Sequence, residues 1–265
     1  MRPHLIITND DGIEEPGIFH LTQALKPYFE VTVVAPMVQQ SGKGLGITLH
    51  QPLKIQEHFG FDGIKAYKVS GTPADCVKVA CSMIAKNTPA LIVSGINPGD
   101  NSGRNALYSG TVGATIEGAM RGIPGIAFSC LDFDQPPFEA FAKYIPQICD
   151  YFIRNQPPFG TVINVNCPLK ELGPIQGVKL ARQGKSYWSE NSTRLQEAPL
   201  LDYDHYLGAS WQEHEEHDQS DIHLLKKGFI TAAVIKIDEL TDKNYFEKES
   251  HLFDAKFNSQ QPSLI

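Results

Sequence analysis

The first stretch able to do chemistry is TNDDG at residues 8–12, which sets two carboxylates, Asp10 and Asp11, side by side. It fits two readings. Asn and Asp before Gly form turns and cap helices, whereas two like charges at a partly buried strand end are compensated by a bound cation. A Gly-rich stretch, APMVQQSGKGLGIT, follows at 35–48. It reads either as a mobile surface loop or as one that carries the Ser41 hydroxyl to a cation and backbone N–H groups to an anion. Gly42, Gly44 and Gly46 match neither GxxxxGK[ST] nor GxGxxG, so this is no Walker loop and a nicotinamide dehydrogenase is disfavoured.

The richest stretch is SGINPGDNSGRNALYSGTVGATIEGAMRG at 94–122. Asn97 and Asn101 offer amide oxygens that ligate a hard cation or position a phosphate without adding charge. Ser109, Gly110 and Thr111 stand where a helix begins, so two hydroxyls and successive N–H groups face whatever sits at that N-terminus, a ready anion site. Capping alone accounts for one hydroxyl and leaves the density of Gly and Asn unexplained.

These residues need elements to position them. Short apolar runs at 5–8, 31–36, 91–95, 125–130 and 161–166 alternate with helix-compatible segments, the pattern of a parallel sheet covered by helices. Ile18, Leu21, Leu25 and Phe29 recur at helical spacing after the first run. A second helix is predicted over 72–86, with Thr72 as N-cap and Pro73 at its first position, and a third over 111–122. In such folds the loops leaving the carboxyl ends of strands line the ligand crevice, and that is where TNDDG falls.

Beyond about residue 180 the texture changes. RQGKSYWSENSTRLQ precedes the charged HEEHDQSDIH, and an apolar run, FITAAVIKI, closes the pattern. HEEH lacks the spacing that puts two His on one helix face, so it reads as a solvated loop. The segment is expected to extend outside the first sheet, and its apolar run to be covered by a second copy of the chain.

The chain has 265 residues, 23 Lys and Arg against 30 Asp and Glu, a net charge of −7, and no basic run. That disfavours a nucleic-acid polymer or a membrane surface as partner. No run approaches the roughly 20 apolar residues that cross a bilayer, and no cleavage site follows the start, so a cytoplasmic protein is expected. The five cysteines contain no CxxC and read as reduced, buried thiols.

Taken together, NDDG, AP followed by SG, SGTPADCV, SGIN and YSGTVGA resemble the survival protein SurE family of 5′-nucleotidases, densely over residues 5–130. The resemblance implies a three-layer α/β fold with a Rossmann-like, mostly parallel sheet: a catalytic core at 1–180 and a C-terminal extension at 181–265 that mediates dimers or tetramers. It implies one Mg²⁺ or Mn²⁺ ion per subunit, held by Asp10, Asp11, Ser41 and Asn97. Phosphate would be bound by Asn101, Ser109, Gly110 and Thr111, and the substrates would be 5′- and 3′-nucleoside monophosphates. Asp10 or Asp11 would serve the attacking water. The chain departs from the family at 228–241, where GFITAAVIKIDELT replaces a segment like GYVSITPL followed by DLT. An aspartyl-phosphate route needs DxD, which adjacent Asp10 and Asp11 do not supply. A nucleotide-binding regulatory module without turnover is the alternative, and no general acid stands out among the nine His.

Overall fold

In a computed structural model, which describes residues 2–190 and 210–258, the five apolar runs form the middle of one sheet. They are β1 (His4–Thr8), β2 (Glu30–Pro36), β5 (Leu91–Pro98), β6 (Gly125–Cys130) and β7 (Thr161–Cys167). The order β2-β1-β5-β6-β7 is parallel throughout. Both faces are covered, which is why these strands are apolar along their length rather than alternating. On one side β2 is followed by β4 (Lys65–Val69) and the edge strand β3 (Ile55–His58). The edge strand β3 is short and carries the charged Glu57, features that protect an open sheet edge.

Helix α1 (Pro16–Leu25) follows β1 on one face, packed with α4 (Phe138–Ala142) and α5 (Ile145–Arg154). The core there is built on Leu5, Ile7, Leu21, Phe128 and Phe141, all fully buried. Helices α2 (Pro73–Val79) and α3 (Gly110–Met120) cover the other face. Thr72 caps α2 with Pro73 at its first position, as expected, and Asp75 completes a reciprocal capping box. This helix is shorter than the span read from sequence and ends in a wider turn over Ala80–Ile84. A buried carboxylate, Glu117, ties the two helices through Lys78 at 3.0 Å and Arg121 at 2.8 Å.

The chain leaves β1 toward β2 on one side, whereas β5 adjoins β1 on the other, so the loops after β1 and β5 part to opposite faces. This is the topological switch point at which open α/β sheets hold ligands. Close approach matters there: a Cβ on Gly17 would lie 2.0 Å from the Ile96 carbonyl oxygen, so only glycine lets α1 settle against the end of β5.

The C-terminal segment departs from the expectation. FITAAVIKI does not project from the sheet but supplies β11 (Ile230–Lys236), antiparallel to β7 and parallel to β8 (Val178–Ala181). Its backbone partners come from its own chain, so no second copy is needed to cover it. Outside the sheet lie the hairpin of β9 (Tyr187–Ser189) and β10 (Ser210–Gln212), the short α6 (Asp221–Leu225) and α7 (Lys243–Asn258). The charged run between β10 and α6 is a loop, as read, and among the described residues no group of His, Cys, Asp and Glu is placed to hold a metal by itself. All five thiols are free.

Removing residues 228–265 strips β11 from the sheet and leaves β7 and β8 with open edges. That chain is expected to be insoluble, whereas one ending at residue 240 keeps the sheet intact. A truncation at 228 that unfolds cooperatively and stays soluble would contradict the topology.

Candidate active site

The turn after β1 decides between the two readings of TNDDG. Asn9 makes it: its side chain donates to the Gly12 carbonyl at 2.8 Å and accepts the Gly12 N–H at 3.3 Å. Helix α1 has Glu15 as N-cap, with no side-chain cap bond. Neither Asp10 nor Asp11 is therefore spent on turn or cap. Asp10 is buried and takes the Thr111 hydroxyl on Oδ1. Gly110 presses on it so closely that a Cβ there would meet the Asp10 Cβ at 2.8 Å. The first carboxylate and the start of α3, 101 residues apart in sequence, thus form one unit.

Asp11 is different, because its Oδ2 is buried without a hydrogen-bond partner among the described residues. Burial first, then the charges of Asp10 and Glu15, push its carboxyl from 3.8 up to about 8. Burial also raises Asp10, against the hydrogen bonds from Thr111 and Gly110 that favour its ionised form. An orphaned carboxylate oxygen beside a second buried carboxylate is the environment that a cation relieves, so the residues fit a divalent metal.

The Gly-rich loop lies on the same unit. The Gln40 N–H donates to the Asp10 carbonyl at 2.7 Å, Gly44 N–H to the Tyr108 carbonyl at 3.0 Å, and Gln39 holds the Ser41 hydroxyl at 2.9 Å. A Cβ on Gly113 would lie 2.4 Å from the Gly44 carbonyl, so α3 and this loop are in backbone contact. The mobile-surface reading of the loop thus gives way to a docked one, with Ser41 itself exposed. Asn97 stands on β5, adjacent to β1 in a register that pairs Thr8 with Ser94. Its Nδ2 is turned to the carbonyls of Pro98 and Gly99, both at 3.2 Å, which leaves the amide oxygen as its ligand atom.

The residues read as phosphate ligands divide. Ser109 Oγ accepts the Val112 N–H at 3.1 Å and caps α3. Thr111 spends its hydroxyl hydrogen on Asp10 and acts on a substrate through that carboxylate. Asn101 sits in a buried polar cluster: its Nδ2 donates to Ser129 Oγ at 2.9 Å, its N–H to Asn166 Oδ1 at 3.3 Å, and its carbonyl accepts from Asn164 Nδ2 at 2.7 Å. Asn164 and Asn166 were missed by sequence reasoning. The signal was there, as two polar residues on alternate positions of an otherwise apolar strand.

A cleft of about 600 Å³ opens beside the unit, lined by Asp11, Ser41 and Pro98 and walled by Met37, Phe133 and Phe138. Fold and cleft together define a doubly wound α/β protein whose acidic ligand crevice lies at the carboxyl ends of its central strands. The chain matches the family Survival protein SurE over residues 5–190. It is 42% identical over 261 residues to the 5′-nucleotidase SurE of Protochlamydia amoebophila, covering 97% of this chain and 99% of that protein. The 5′-nucleotidase SurE of Chlorobaculum tepidum is 38% identical, covering 92% of each chain. The crystal structure of the SurE protein from Aquifex aeolicus superposes with a TM-score of 0.77 at 30% identity, over 95% of this chain and 100% of that one. The chain belongs to the SurE family.

With a folded pKa of about 8 against 3.8, Asp11 holds its proton more tightly in the metal-free fold than in the unfolded chain. Stability without metal therefore falls as pH rises through that window. In EDTA, Asp11→Asn is expected to melt above the wild type at pH 8 by at least the roughly 2–4 °C that one kcal/mol produces in a chain of this size. The gap should narrow at pH 5. Equal melting temperatures at both pH values would show that Asp11 is not held against its charge.

Proposed function

We propose that the chain is a metal-dependent phosphomonoesterase that hydrolyses nucleoside 5′- and 3′-monophosphates to nucleoside and phosphate, working in the cytoplasm. The observation that carries it is the orphaned Oδ2 of Asp11 next to Asp10, packed on the N-terminus of α3. The names of the similar proteins, 5′-nucleotidase SurE, agree with it. Among the described residues no helix is long and apolar enough to cross a membrane.

In this reading Asp10, Asp11, Ser41 and the Asn97 amide oxygen hold one Mg²⁺ or Mn²⁺ ion. When bound, such an ion polarises a phosphoryl oxygen and acidifies a coordinated water. The chain's own residues do the rest. N–H groups at the start of α3 and the remaining Asn101 amide hydrogen receive the equatorial phosphate oxygens, where negative charge is spread during transfer. Thr111 fixes the rotamer of Asp10, and a carboxylate of the Asp10–Asp11 pair takes the proton of the attacking water.

The nucleoside half lies in the 600 Å³ cleft, within the range of small-ligand sites. Phe133 and Val38 offer exposed apolar surface to a base, while Glu14, Glu15 and Asp134 repel further phosphates, favouring monophosphates. No MgATP-type cradle is present in the sequence, in keeping with that preference. The chain assembles as a homodimer or homotetramer, through α7 rather than through β11. Tyr245, Phe246, Leu252, Phe253 and Phe257 of that helix are all exposed, an apolar face that a monomer would leave in water.

A panel of phosphomonoesters assayed with Mg²⁺, Mn²⁺, Ca²⁺ and EDTA is expected to show metal-dependent phosphate release from nucleoside monophosphates. Tight nucleotide binding without release in any metal would replace turnover by a regulatory role. Thr111→Val should cost about 1.5–3 kcal/mol in kcat/KM, the worth of a hydrogen bond to a charged group, and an unchanged value would make Thr111 a spectator. Phe133→Ala should raise KM for a nucleotide about fivefold or more while sparing glycerol phosphate. A chain ending at residue 240 should sediment as a monomer. If it keeps the full-length assembly, α7 is not the contact.

A further inference from the structure

The loop that carries Asn101 is held from two directions. On the inner side Asn164 and Asn166 grip the Asn101 backbone, and Asp100 Oδ1 accepts the Ser102 N–H at 2.7 Å. The outer side is gripped by residues far along the chain. The Gly103 N–H donates to Asp221 Oδ2 at 2.9 Å across 118 residues, and the Gly103 carbonyl accepts from Gln183 Nε2 at 2.7 Å across 80. Both backbone groups of one glycine are thus clamped by the C-terminal segment. Gly103 has φ +54°, and a Cβ there would lie 2.3 Å from the Ser186 carbonyl oxygen, so the clamp is close enough to require glycine.

Asp221 is built for this position. Its Oδ1 takes the N–H groups of Gly184 and Ile222, both at 2.8 Å, and its Oδ2 takes, among the described residues, that of Gly103 alone. Capping of α6 does not explain that second oxygen, because Ser220 Oγ already accepts the His223 N–H at 3.2 Å. One carboxylate therefore joins three backbone segments: the Asn101 loop, the Arg182–Gly184 stretch and α6. Only Ser102 separates the clamped glycine from Asn101, and a misplacement of about 1 Å at a reacting group costs on the order of a hundredfold in rate.

We propose that Asp221 and Gln183 are positioning residues for substrate phosphate, fixing the Asn101–Gly103 loop against the start of α3. The inference rests on the nucleotidase reading of this site and adds to it the C-terminal segment as a working part. It assigns a role to the Arg-Gln-Gly stretch at 182–184 and to a carboxylate that in sequence is one more charge in a polar loop.

The test uses the full-length chain in Mn²⁺, with KM and kcat for a nucleoside monophosphate and the inhibition constant of inorganic phosphate. Asp221→Asn keeps size and shape. Its amide oxygen can still serve Gly184 and Ile222, which turns its NH₂ against the Gly103 N–H and severs the loop selectively. Both KM and the phosphate constant are expected to rise roughly tenfold, with a smaller fall in kcat and an unchanged Mn²⁺ affinity. Gln183→Met should act in the same direction by roughly threefold. Ser220→Ala is the control for mere destabilisation, since it removes the α6 cap without touching Gly103; it should lower Tm and leave the phosphate constant alone.

An Asp221→Asn protein that binds phosphate like the wild type would overturn the proposal, as would a Ser220→Ala protein that loses phosphate affinity to the same degree. Should Asp221→Asn fail to fold, Gln183→Met decides, and an unchanged phosphate constant there counts against the clamp. A wild-type protein that neither turns over a nucleotide nor is inhibited by phosphate would overturn the parent reading, and this one with it. Failure of the clamp alone leaves wild-type turnover intact, so the two failures are distinguishable.

Discussion

Most of this structure is arranged around one buried carboxylate held at the beginning of one helix. Asp10 leaves the central strand, takes the Thr111 hydroxyl, and carries on its backbone carbonyl the N–H of Gln40. Three segments that sequence keeps apart are thereby fixed to a single residue. The helix N-terminus favours the charge, while burial opposes it, and that charge in turn raises the neighbouring Asp11. A folded chain of ordinary size can tolerate such a local cost because the apolar sheet beneath it is extensive, with Leu5, Ile6, Ile7, Leu91, Ile92 and Val93 completely buried in β1 and β5. The cost is relieved by a proton or by a bound cation.

How much of this could be read beforehand depends on where each residue takes its instructions. The five interior strands were legible because burial on both faces writes an uninterrupted apolar run. Thr72 with Pro73 was legible because capping is local. The outer strands β3 and β4 escaped because their charges look like loop, and α5 because Pro146 in its first turn looks like a stop. FITAAVIKI was correctly read as apolar and wrongly placed, because composition says that a strand needs neighbours and not which neighbours.

The same division runs through the site. Asp10, Asp11, Ser41, Asn97 and the Ser109–Thr111 turn carry their chemistry in their types and lie at strand or helix ends, so motif reading reaches them. What it does not reach is division of labour. The Ser109 hydroxyl is engaged as a cap and the Thr111 hydroxyl on Asp10, which follows from packing rather than from residue type. Asp221 was invisible for the opposite reason: nothing in DQSDIH marks which carboxylate is buried, and only the fold brings it to Gly103.

The insertion of β11 beside β7 has a consequence in time. During synthesis β7 is complete once Cys167 has emerged, yet the strand that pairs with its open side ends at Lys236. At about 5–20 residues per second, that edge waits roughly 3–14 s without its partner. A nascent chain in that interval displays a largely apolar strand, TVINVNC, with a free row of N–H and C=O groups. That open edge thus belongs to the period of synthesis rather than to the folded chain, and a chaperone that binds extended apolar segments would find its target there.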